Sequence, residues 1–138
     1  MSPGAFGGRL AALAAVTTVL LAACGDDDPY VRAQEDGTVR MTLDEFRVDP
    51  ERVFTPTGNV RIVARNVGRL THNVAVVSDD RSPDAVEVEF GRSKTAQPGE
   101  TVTATATLRP GRYRVVCTLA NHDNLGQYGT LVVRRSGG

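Results

Sequence analysis

The sequence predicts an all-β domain, an antiparallel sandwich of about seven to eight short strands. Three observations predict it. Apolar residues alternate with polar ones in short runs, proline and glycine turn signals separate those runs, and no stretch carries apolar residues at helical spacing over about ten positions. Of the 138 residues, 41% are apolar and 23% charged, an ordinary globular balance that fits one domain.

The chain opens with a segment that stands apart from the fold. A single charge, Arg9, precedes an uncharged apolar run from Leu10 to Ala23 that ends at Cys24. Such a run is shorter than the roughly 20 residues a membrane-spanning helix needs, and residues 1–23 read as a secretory signal peptide. Leu21-Ala22-Ala23-Cys24 resembles the lipobox of bacterial lipoproteins, in which the signal is cut before the cysteine and the cysteine is acylated. An ordinary signal peptide with an incidental cysteine is the alternative. Residues 24–37 are acidic, lack apolar periodicity and read as a flexible tether, with Asp26–Asp28 a solvated run rather than a calcium site.

Residues 38–135 form the domain, followed by a short tail, 136–138. Val39, Met41 and Leu43 alternate with polar neighbours, and Phe46 and Val48 continue that strand past a bulge. Strands follow at Val60–Arg65, Asn73–Val77 and Val86–Phe90. Val102–Leu108 and Arg112–Cys117 alternate cleanly, and Thr130–Val133 closes the domain. Turns fall at Pro56-Thr57-Gly58, Pro98-Gly99 and Pro110-Gly111.

Composition excludes several function classes. Sixteen basic and sixteen acidic residues give zero formal charge, which argues against nucleic-acid binding through a broad basic surface. Two cysteines supply neither a disulfide framework nor a four-thiolate zinc site, and two histidines are too few for a catalytic copper cluster.

The chemistry-bearing residues gather in two segments. Thr71-His72-Asn73 opens one strand, and the stretch from Cys117 to Gly129 joins the last two. They hold both histidines and the only cysteine besides Cys24. A lone strand histidine is usually structural, and a lone sandwich cysteine is usually core packing. Together, a C-x4-H loop and a histidine opening another strand supply the thiolate and two imidazoles of a trigonal copper site with a weak axial donor.

On these residues the domain resembles a cupredoxin, a blue type 1 copper protein of the plastocyanin and azurin kind. The resemblance rests on His72-Asn73, on the Cys117 and His122 spacing, and on Gly126-Gln127-Tyr128-Gly129 in the place of the family's G-M-x-G segment. It implies a Greek-key β-sandwich, one copper per chain, and His72, Cys117 and His122 as equatorial ligands. It also implies that Asn73 and Thr118 brace the two ligand segments. The family's axial methionine is replaced by Gln127, as in the stellacyanin variant, where a glutamine amide oxygen is the fourth ligand. Two alternatives for Gln127 stay open: the side chain faces solvent, or Gly126 offers its carbonyl instead. Ala120-Asn121 stands where the family loop often reads Pro-Gly, which bears on loop rigidity.

The site implied by this resemblance suits an electron carrier and not an enzyme, expected as a monomer, and the lipobox-like segment implies that lipid on Cys24 holds it to the extracytoplasmic membrane face. Its partners would be redox proteins such as a cytochrome, an oxidase or a reductase. The expected electron port is an exposed edge of His122 ringed by Leu70, Leu119, Ala120 and Leu125. Two rival functions are a copper module for storage, delivery or sensing, and a metal-free sandwich serving as an interaction module.

Overall fold

The computed structural model describes Met1, Pro3, Gly4 and residues 29–134. Cys24, nearly all of the signal segment, the acidic run Asp26–Asp28 and the tail 136–138 lie outside the described residues. The described chain forms ten strands: β1 Val31–Arg32, β2 Thr38–Asp44, β3 Arg47–Asp49, β4 Arg52–Thr55, β5 Asn59–Asn66, β6 Ala75–Ser78, β7 Glu89–Arg92, β8 Thr101–Thr107, β9 Gly111–Val116 and β10 Tyr128–Val133. Among the described residues no helix is long and apolar enough to cross a membrane.

Two sheets face each other. One has six strands in the order β1-β4-β10-β9-β6-β7, and the other has four in the order β3-β2-β5-β8. Period-two alternation makes this possible, because successive side chains of a strand point to opposite faces. In β5 the odd positions Asn59, Arg61 and Arg65 face water while Val60, Ile62 and Ala64 are buried. The inner faces meet in one apolar cluster that includes Leu43 and Ile62 from the smaller sheet and Val53, Val115 and Leu131 from the larger. A smaller cluster of Ala75, Val77 and Val116 lies apart from it, so β6 buries residues of both parities.

The sheets are mixed rather than purely antiparallel: β1 pairs with β4, β10 with β4, and β2 with β5 in parallel. The expected strand count falls short for three local reasons. The run through Phe46 does not continue past a bulge; the chain reverses at Glu45-Phe46, and β3 returns antiparallel beside β2, with Leu43 opposite Val48. Short strand β4 is recruited by β10, from the far end of the chain. Within the segment read as tether, Val31 and Arg32 pair with β4 and Ala33 is buried, so packing begins before residue 38. At Val86–Phe90 only the end enters a strand: pairing with β6 shifts register between Val76 and Val77, and Val86 stays exposed.

Candidate metal centre

One end of the sandwich collects the segments that matter. There β2 and β5 end and β6 and β10 begin, and the chain leaves β9. His72 is held just before β6 by a two-way backbone bridge with Ala96: His72 N–H donates to Ala96 C=O at 3.1 Å, and Ala96 N–H donates to His72 C=O at 2.7 Å. Cys117 follows the last residue of β9, and its N–H donates to the carbonyl of Gln127 at 3.1 Å, just before β10. Between them the chain folds through consecutive tight turns, with Gln127 N–H donating to His122 C=O at 3.0 Å.

This arrangement brings His72, Cys117 and His122 together, with one ligand-type atom from each lying within 4.8 Å of the others. The Cys117 sulfur is 3.6 Å from Nδ1 of His122, and the two imidazole centroids are 5.2 Å apart. His72 and Cys117 are fully buried. Asn73 and Thr118 join the two segments reciprocally: the Asn73 amide donates to the Thr118 hydroxyl at 2.8 Å, and the Thr118 N–H donates to Asn73 Oδ1 at 2.8 Å.

Gln127 is fully buried, and its Nε2 donates to the carbonyl of Asp44 at 2.7 Å. Its Oε1 has no hydrogen-bond partner among the described residues, and neither has Nδ1 of His72. An unsatisfied buried acceptor costs about 1–3 kcal/mol, and native folds keep such atoms rare unless an ion or water satisfies them. A buried thiol and two imidazoles brought together, with His72 Nδ1 and Gln127 Oε1 left unpartnered, are a donor set that fits a soft, imidazole-binding metal such as copper. Gln127 being fully buried rules out the solvent-facing alternative.

The exposed edge expected for His122 is not found. The ring is buried, at 7% exposure, because the edge of Phe46 packs against it with centroids 4.9 Å apart. Leu70, Ala120 and Leu125 are exposed, and Leu119 is half-buried. Ala120 and Asn121 both have positive φ, 45° and 57°.

No sequence motif marks the β2–β3 reversal, yet residues 44–46 contact Gln127, His122 and His72. Asp44 takes the Gln127 amide, Phe46 packs on His122, and Glu45 Oε1 lies 3.2 Å from His72 Nε2. Hydrogen bonds from Leu70 N–H, His72 and Arg69 N–H hold the Glu45 carboxyl at about 2, below its ordinary 4.5. No sequence signal marks this carboxylate: it is 27 residues from His72, in a turn.

Comparison with known proteins adds the lineage. The cupredoxin-like domain family matches residues 10–133. No curated protein sequence matches. Among solved structures, a dithionite-reduced auracyanin from the photosynthetic bacterium Roseiflexus castenholzii aligns over 73% of this chain and 99% of its own, at 19% identity and a TM-score of 0.62. Auracyanin B aligns over 76% of this chain and 94% of its own, at 21% identity and a TM-score of 0.58. Auracyanin A, described as a blue copper protein of the green thermophilic bacterium Chloroflexus aurantiacus, aligns over 70% and 98% at 21% identity and a TM-score of 0.57. At these identities the likeness is one of fold.

Proposed function

The chain belongs to the cupredoxin-like family, and from that premise we propose that it is a membrane-anchored, extracytoplasmic carrier of single electrons. Copper bound at the centre supplies a one-electron couple. His72, Cys117 and His122 would hold it, with the unpartnered Oε1 of Gln127 as the further donor. The observation that carries this reading is the buried cluster of two imidazoles and a thiol with two orphaned acceptors, His72 Nδ1 and Gln127 Oε1. An amide oxygen is a harder donor than a thioether, so Gln127 favours Cu(II) and lowers the potential.

The protein's part is to hold still. Each donor is fixed by backbone pairing or a side-chain brace, so the same geometry serves both oxidation states and electron exchange needs little rearrangement. With these four residues as donors the copper would be held by protein alone, unlike the open sites of metalloenzymes, which keep a position for substrate or water. Burial of the whole donor set also disfavours a delivery or sensing module, which must hand its ion to a partner.

The electron port is assigned to the nearly covered His122, with exposed Leu70, which precedes the His72 segment, and Leu125, in the His122 loop, as apolar side chains that suit brief docking with a cytochrome, oxidase or reductase. The lipobox-like Leu21–Cys24 supports the anchoring, with the acidic residues after Cys24 as tether and the first strand at Val31–Arg32. Voltammetry of the copper-loaded domain tests the function: a reversible one-electron wave is expected, and copper uptake without such a wave would favour storage.

A further inference from the structure

Glu45 has no place in the ligand set, yet the fold is arranged around its carboxylate. One oxygen, Oε1, receives the backbone N–H groups of Arg69 and Leu70, both at 2.7 Å, and lies 3.2 Å from Nε2 of His72. The turn that presents those donors is itself fixed by buried Asn66. Its Oδ1 accepts the Gly68 N–H at 2.9 Å, and its Nδ2 donates to the carbonyls of Leu70 at 2.8 Å and Ala96 at 3.0 Å.

Gly68 is required by space. A Cβ there would lie 2.3 Å from Glu45 Oε1 and 3.1 Å from His72 Nε2, so any other residue would displace the carboxylate from the histidine. Hairpin turn, glycine and asparagine thus form a cradle for one anionic oxygen against one ring nitrogen.

A carboxylate only accepts, so its contact with Nε2 places the ring proton there. Nδ1 is then the nitrogen with a free lone pair, and it is the one that is buried and without a partner. Carboxylate partners on ligating histidines fix the tautomer and ring orientation and raise ligand basicity. The Glu45 side chain is only a quarter exposed, so its charge is partly shielded from water and acts on the nearby centre. We propose that Glu45 is a positioning residue for His72: it commits Nδ1 to the metal and its negative charge biases the centre toward Cu(II). The proposal rests on the copper reading above.

Glu45→Gln and Glu45→Ala separate charge from shape. The Gln amide oxygen can accept the same three hydrogen bonds, so a purely structural role predicts a wild-type potential. The proposal predicts that Glu45→Gln lowers Cu(II) affinity relative to Cu(I) by about tenfold, a rise in potential of about 59 mV for one electron. Nitrogen NMR of the metal-free wild type is expected to show the His72 ring in the single Nε2–H form, and Glu45→Ala is expected to lose it. An unchanged potential in Glu45→Gln overturns the charge effect, and a retained Nε2–H form in Glu45→Ala overturns the orienting role. Failure of the wild type to take up Cu(II) at all would overturn the copper reading, and the proposal with it.

Discussion

At the scale of single residues, the copper reading gives Gln127 and Glu45 each a part in the electronic character of the centre. Gln127 presents an amide oxygen whose nitrogen is tied to Asp44. Gln127→Met exchanges it for a softer donor, so the reduction potential should rise; an unchanged potential would remove Gln127 from the axial position. Glu45 gives the fold an acid dependence. Its carboxyl is held at about 2 in the fold against 4.5 ordinarily, by hydrogen bonds from Leu70, His72 and Arg69. The unfolded chain therefore takes up the proton first as pH falls. The stabilisation is complete above about pH 4.5 and lost on the way to about pH 2. Urea titrations of the metal-free protein at about pH 5 and about pH 3 should show a larger loss of stability for wild type than for Glu45→Gln. The two residues differ in legibility. Gln127 stands five positions after His122, inside a motif whose spacing already points to metal. Glu45 is invisible in sequence because its role arises from a hairpin reversal and a glycine, both distant in the chain from His72.

At the scale of elements, the loop from Cys117 to Gln127 carries its own strain. Ala120 has a left-handed backbone, φ 45°, which costs a non-glycine residue about 1–2 kcal/mol; the greater unfolded entropy of glycine offsets about 0.5–1 kcal/mol of the relief. Ala120→Gly should therefore stabilise the protein by up to about 1 kcal/mol, read as a shift of the urea midpoint. The Asn73–Thr118 brace ties this loop to the His72 segment and is partly buried. Asn73→Ala removes both hydrogen bonds and should destabilise by about 1–3 kcal/mol. Strands with strict alternation, such as β5 and β8, are legible because burial follows the period of two. β1 and β4 are not, since they are short and exist by pairing with each other and with β10. The parallel pairings β2–β5 and β4–β10 are equally hidden, because alternation says which face is buried and nothing about the neighbour.

At the scale of the whole molecule, the sandwich is a rigid mount for one end. Ile62 is fully buried at the centre of the smaller sheet, and Ile62→Ala should cost about 2–5 kcal/mol in denaturant unfolding. The formal charge of the chain is zero, so its exchange rate with a redox partner should vary only weakly with ionic strength, in contrast to carriers steered by a strong net charge. A steep salt dependence would point instead to a local charged docking face. The central claim is that a buried thiol and two imidazoles hold one copper ion. Its most direct test is a Cu(II) titration followed by visible absorption, on wild type and on Cys117→Ser. The account predicts an intense thiolate-to-copper band that saturates at one ion per chain and is absent from Cys117→Ser. A colourless wild-type product, or a band that survives in Cys117→Ser, would contradict it.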